Sequence, residues 1–95
     1  MIDVILTRAA EKEYASALAW HHRKGPWLAR WFRAAVQEGL ARIAEFPEAS
    51  PRCDEKHRYC VLKRFNYGLV YRYQHGFALV VAVTHGSQLP GYWNE

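Results

Sequence analysis

Three β-type runs follow one another in the second half of this chain: residues 59–65 (YCVLKRF), 67–73 (YGLVYRY) and 77–83 (FALVVAV). They are separated by two breakers, Asn66 with Gly68 nearby and the pair His75-Gly76, so they predict a short antiparallel sheet. The same region is chemically one-sided. Residues 56–94 contain Lys56, Arg58, Lys63, Arg64 and Arg72 and no Asp or Glu, whereas residues 1–55 carry eight charges of each sign. The net positive charge of the chain is therefore counted in its sheet-forming half. A sheet studded with Arg, Lys and Tyr suits a polyanion or an acidic partner, because clustered positive charge attracts such partners in a salt-dependent way.

Upstream of the sheet the pattern changes period. Residues 2–6 (IDVIL) read as a short strand, and Thr7 is placed as the N-cap of a helix with Glu11 and Glu13 near its first turn. Ala10, Tyr14, Ala17, Leu18 and His21 recur at helical spacing, and Lys24-Gly25-Pro26 closes one helix and opens the next. In the second helix Leu28, Phe32, Ala35, Val36, Gly39, Leu40, Ile43 and Phe46 form an apolar stripe that Pro47 ends. The two helices predict a tight antiparallel hairpin whose apolar faces need the sheet to cover them. Residues 48–57 are polar and read as a loop. In the middle strand of the three, Tyr67, Leu69, Tyr71 and Tyr73 point one way and Gly68, Val70 and Arg72 the other, so one face covers the helices and the other displays Arg72. An irregular tail ends in Tyr92-Trp93, expected to fold back on the sheet.

Ninety-five residues make one domain, here residues 1–95, since a chain of this size buries roughly 60–68% of its unfolded surface in a single modest core. The apolar content of 51% is globular, and four Trp in so short a chain point to an aromatic core or an interface. The longest apolar run, residues 77–83, falls far short of the ~20 residues of a membrane span, and Asp3 stands where a leader would be basic, so a cytoplasmic protein is expected. Cys53, His57 and Cys60 spell Cys-x3-His-x2-Cys without a fourth ligand in the segment. No metal or cofactor is expected; Cys60 is read as a core residue and Cys53 as a loop residue. His21 and His22 are neighbours that diverge by about 100° on a helix and do not ligate together.

The element order, with RFNYGLVYR at 64–72 and AVTHGSQLPGYW at 82–93, resembles the ParE/RelE superfamily of type II toxins over nearly the whole chain. The resemblance implies an α+β fold of order β-α-α-β-β-β, a helix hairpin packed on a small, mainly antiparallel twisted sheet. It also implies a toxin encoded beside an antitoxin whose disordered C-terminal segment wraps and neutralises it.

The superfamily has two functional branches. RelE-like members are ribosome-dependent mRNA endonucleases that use Lys and Arg to hold a phosphate and stabilise charge, sometimes with a Glu or His as acid or base. If this chain is of that kind, Lys63, Arg64, Arg72 and His85 are the catalytic candidates. It departs from the pattern, with Gly68 and Ser87-Gln88 where RelE-like enzymes carry cations. ParE-like members are DNA gyrase poisons that act by binding, and retention of the fold motifs without the cations favours this branch; a non-toxic relative keeping only the fold is the third reading. Candidates for contact with antitoxin or target are Arg58, Lys63, Arg64, Arg72, Trp27, Trp31, Tyr92 and Trp93. For Trp20, Trp27 and Trp31, packing between the helices and an antitoxin or dimer contact stay open side by side. His85 has no acid close in sequence to orient it, so a Ser87-based triad is not expected and a structural His bonded to backbone is. The implied assemblies are a dimer or a toxin–antitoxin hetero-oligomer.

Overall fold

The computed structural model describes residues 1–86, 88 and 90–94. The chain runs β1 (Asp3–Leu6), α1 (Arg8–Lys24), α2 (Pro26–Glu45), β2 (Arg58–Val61), β3 (Tyr67–Gln74) and β4 (Phe77–His85), then a short 3₁₀ turn at Tyr92–Asn94. The strands form one sheet in the order β1-β4-β3-β2, with β1 parallel to β4 and the other pairs antiparallel. The two helices lie on one face of that sheet.

Local chemistry sets the boundaries. The Thr7 hydroxyl accepts from the Ala10 N–H at 3.1 Å and caps α1. At the other end Gly25 N–H donates to the His21 and His22 carbonyls, and Pro26 begins α2 one residue later. His75 and Gly76 both have positive φ, 55° and 81°, which is the two-residue hairpin turn that matches the twist of the strands it joins. Phe32, Val36 and Ile43 from α2, Ala10 and Ala17 from α1, and Leu69, Tyr71, Val80 and Val83 from the sheet form the core.

Several sequence expectations shift. The α2 stripe ends at Ile43: Phe46 lies beyond the helix and is 58% exposed, because Pro47 turns the chain away before that ring reaches the core. β2 stops at Val61, since Arg64 takes a left-handed φ of 70° and the chain turns there. Gly68 is not part of that turn. It lies inside β3, where a Cβ would overlap the Tyr59 ring, so its bare backbone is the floor on which Tyr59 rests. Arg72 points away from the helices as alternation requires, yet it is half-buried and its Nε has no partner.

Candidate functional site

One irregularity in the sheet decides what the sheet presents. Val70 pairs with Ala82 and Tyr71 with Val80, so Val81 is an extra residue on β4 and the register shifts there. A bulge of this kind reverses which face the following side chains take. Val80 and Val83 consequently both enter the core, and His85 comes to the α1 side of the sheet beside Tyr67, ring centroids 5.0 Å apart.

There a cleft of about 650 Å³ opens between α1 and the ends of β3 and β4, lined by Lys12, Trp20, Arg64, Tyr67 and His85 among others. Burial pushes the Tyr67 phenol up from its ordinary value. His21, buried behind the cleft, stacks on Phe32 at 4.4 Å between centroids, and its Nδ1 lies 2.7 Å from the Ala17 carbonyl. It is a packed ring donating to its own helix.

Glu13 closes the back of this region. One of its carboxylate oxygens accepts the Val83 N–H at 2.9 Å, and the other accepts the Tyr92 hydroxyl at 2.6 Å. β1 covers the edge of β4 only as far as Val80, so Glu13 supplies the acceptor that a longer β1 would have given. Burial and then the hydrogen bond to Glu13 push the Tyr92 phenol up to about 12. A second carboxylate holds the same C-terminal segment. Asp54 accepts from the Lys56 and His57 N–H groups, from Trp93 Nε1 and from Asn94 Nδ2, and lies 2.9 Å from His57 Nδ1, which must carry the proton. Its partial burial acts to raise its pKa, but these hydrogen bonds outweigh that and hold it well below the usual carboxylate range. Residues 90–94 are thus fastened at two points, with Tyr92 bonded to α1 and Trp93 to the loop before β2, whereas the sequence predicts contact with the sheet.

The structure does not bring the four nuclease candidates together on one surface. Arg64 and His85 line the α1-side cleft, whereas Lys63 lies 3.4 Å from Glu38 on the α2 side, in a hollow that Arg64 also borders. Arg72 leaves the opposite face of the sheet, five residues along β3 from Tyr67, about 17 Å at strand rise. The position equivalent to one missing cation, Gly68, is roofed by Tyr59. At the other, Gln88 Oε1 accepts the His85 N–H at 2.7 Å and the Thr84 hydroxyl at 3.2 Å, so it caps β4; Ser87 lies outside the described residues. Arg58 donates from one guanidinium nitrogen to the Glu48 and Ser50 carbonyls at 2.9 and 2.8 Å and tethers the loop after α2. Trp27 and Trp31 stand about half exposed on α2.

Glu13, Asp54 and Tyr59 went unread as functional positions. Glu13 acts on Val83 and Tyr92 and Asp54 on Trp93 and Asn94 across long sequence intervals, and Tyr59 reaches Gly68 only through the pairing of β2 with β3, so no local motif marks these contacts. Among the described residues no group of three or more His, Cys, Asp or Glu could hold a metal ion, and no helix is long and apolar enough to cross a membrane.

Residues 4–90 match the sequence profile of the family described as ParE toxin of type II toxin-antitoxin system, parDE. The chain belongs to the ParE toxin family. A solved structure described as the chromosomal ParDE TA system from P. aeruginosa shares the ParE fold seen here. The TM-score is 0.77 over 90% of this chain and 96% of that one, at 16% sequence identity. No curated protein sequence matches the chain.

Proposed function

We propose that this ParE-family chain is the toxin of a type II module, that it stops growth by binding DNA gyrase rather than by cutting RNA, and that a cognate antitoxin neutralises it. The observation that carries the choice of target is the dispersal of the cations. Cleavage by a bound 2′-hydroxyl needs several positive groups converging on one phosphate. Here Arg64 shares one hollow with His85 and another with Lys63, which is paired to Glu38, while Arg72 leaves the opposite face of the sheet and Tyr59 fills the space above Gly68. A surface that binds a protein has no such need for convergence.

A groove of about 670 Å³ on the outside of the helix hairpin supports the antitoxin arm of the proposal. Its floor includes Leu18, Ala19 and Ala29, and its walls carry Arg23, Arg30 and Arg33 with no acid. An apolar floor between cationic walls suits an amphipathic, acidic segment. Coexpression with the neighbouring antitoxin gene is expected to restore growth and yield a stable complex.

Purified protein is expected to inhibit gyrase supercoiling or trap cleavage complexes, with no ribosome-dependent cleavage. Codon-positioned messenger cuts on translating ribosomes, lost on replacing Lys63, Arg64 or Arg72, would overturn the target and promote the RelE-like alternative. A protein that is harmless alone and recovers no partner from its host would refute the toxin reading itself.

A further inference from the structure

The balance of eight cations and eight acids in residues 1–55 conceals a gap: no Asp or Glu occurs between Glu13 and Glu38. That interval runs from the first half of α1 through the hairpin tip into the second half of α2. Arg23, Lys24, Arg30 and Arg33 are all exposed there. So are three of the four Trp residues, with Trp20 at 47%, Trp27 at 48% and Trp31 at 53% exposure. A single exposed Trp needs no explanation, but three at one end of a small domain form a patch.

The β2–β3 turn adds to the same end. Phe65 packs edge-on against His21 and Phe32, at 5.3 and 5.2 Å between centroids, and pins the turn to the hairpin tip. Its neighbour Arg64 takes the left-handed φ of 70° that few side chains other than Gly adopt. Arg64 thereby lines the α1-side cleft with Trp20 and also a second hollow, about 330 Å³, with Trp31, Lys63 and the Glu38 that Lys63 pairs with. Across the tip the sequence of groups is therefore Trp20 with the Lys24 ammonium 5.3 Å over its ring, then Arg64, then Trp31, then Trp27 at 5.1 Å from Trp31. Trp27 is itself held, because its indole lies over Gly25, where a Cβ would stand 2.8 Å from Nε1. The nearest acids are already engaged: Glu13 by Val83 and Tyr92, and Glu38 by Lys63 and Arg42.

We propose that this tip binds single-stranded nucleic acid, with the indoles stacking on unpaired bases and Lys24, Arg64 and Lys63 holding backbone phosphates, Lys63 by exchanging its exposed ion pair with Glu38 for a phosphate. Alternating aromatic faces and cations are the chemistry of such tracks, because every base has a π-face and every linkage a charge. An anionic membrane fits less well. Its anchors need exposed aliphatic side chains to insert, and the positions beside the indoles on the outer face of α2 are Arg30, Ala34 and Gln37, while Leu28 is half-buried. The inference does not depend on gyrase as the target, and it is tested without gyrase.

Purified protein would be titrated with fluorescein-labelled oligo-dT, oligo-U, a duplex of equal length and phosphatidylglycerol vesicles, following anisotropy and tryptophan emission. Binding to an unpaired strand is expected to quench tryptophan emission and to fall with salt at a log–log slope of about −2, the value for three phosphates on a single strand. Trp31→Ala is expected to weaken binding about tenfold, and Arg64→Gln to flatten the slope by about 0.7. The tighter of oligo-dT and oligo-U identifies DNA or RNA as the source of the strand. Three results would overturn the proposal: no oligonucleotide binding at low salt; equal duplex binding that survives Trp27→Ala with Trp31→Ala in a variant of native circular dichroism; or binding to vesicles alone.

Discussion

Replacing Glu13 with Ala tests the strongest claim about how this domain is held together, that one carboxylate joins α1, β4 and the C-terminal segment. The substitution removes a charge-assisted hydrogen bond to the Tyr92 hydroxyl and leaves the Val83 N–H without its acceptor. Hydrogen bonds to charged groups contribute about 1.5–3 kcal/mol, and a buried donor left unmade costs about 1–3 kcal/mol. Taking the lower part of each range, Glu13→Ala is expected to cost about 3 kcal/mol. For a domain of this size that is a fall of roughly 12–24 °C in Tm. Tyr92→Phe removes only one of the two bonds, about 1.5 kcal/mol, and the double variant is expected to be little worse than Glu13→Ala alone. Urea unfolding of the four proteins gives the coupling directly. The alkaline limb supplies an independent reading. The Tyr92 pKa is raised in the folded state, to about 12, so its stabilisation is fully present below about pH 10, the ordinary tyrosine value, and fades as the pH rises through 12. Tyr59, Tyr67 and Tyr71 are also shifted upward, so the quantity to follow is wild type minus Tyr92→Phe. A coupling under about 0.5 kcal/mol, which is the ordinary error of additivity, would refute the clamp.

Gly68→Ala is expected to cost about 1–3 kcal/mol by overpacking against Tyr59, and Tyr59→Ala in the same chain should recover part of that loss in denaturant melts, whereas strictly additive effects would show that the ring is not the obstacle. Asp54→Ala is expected to cost about 2 kcal/mol through loss of hydrogen bonds to charge and to red-shift Trp93 emission as the C-terminal segment loosens. Because the folded-state pKa of Asp54 is depressed, wild type should lose this stabilisation as the pH falls below the ordinary carboxylate range, and the variant should show a shallower acid limb.

The parts of the fold that were legible in the sequence are those governed by neighbours in the chain. Thr7 announces a cap because its hydroxyl reaches only three residues along, and His75-Gly76 announces a two-residue turn because positive φ is demanded at both positions. The helix stripes are legible for the same reason, and fail at Phe46, where chain direction rather than periodicity decides. The bulge at Val81 leaves no mark. Residues 77–83 are apolar at every position, so neither face is labelled and a one-residue slip is invisible. Yet that slip turns His85 toward the α1-side cleft, which means the placement of a candidate functional side chain rests on a feature without a sequence signature.

Charge shows the same division between what a tally can reveal and what only a fold can. Summed over residues 1–55, the cations and acids cancel, and a tally by halves assigns all the excess to the sheet half. Folding undoes that sum, because acids fall on both sides of the hairpin tip and none within it, while Phe65 carries Arg64 and Lys63 to the same end. The first-half cations and the turn cations therefore share one surface with three indoles. Arg72, the most conspicuous cation of the central strand, stands apart on the opposite face, half-buried. The hairpin tip thus carries the densest open cluster of cations and indoles, whereas on the sheet face that the strand pattern advertises Tyr59 already covers Gly68.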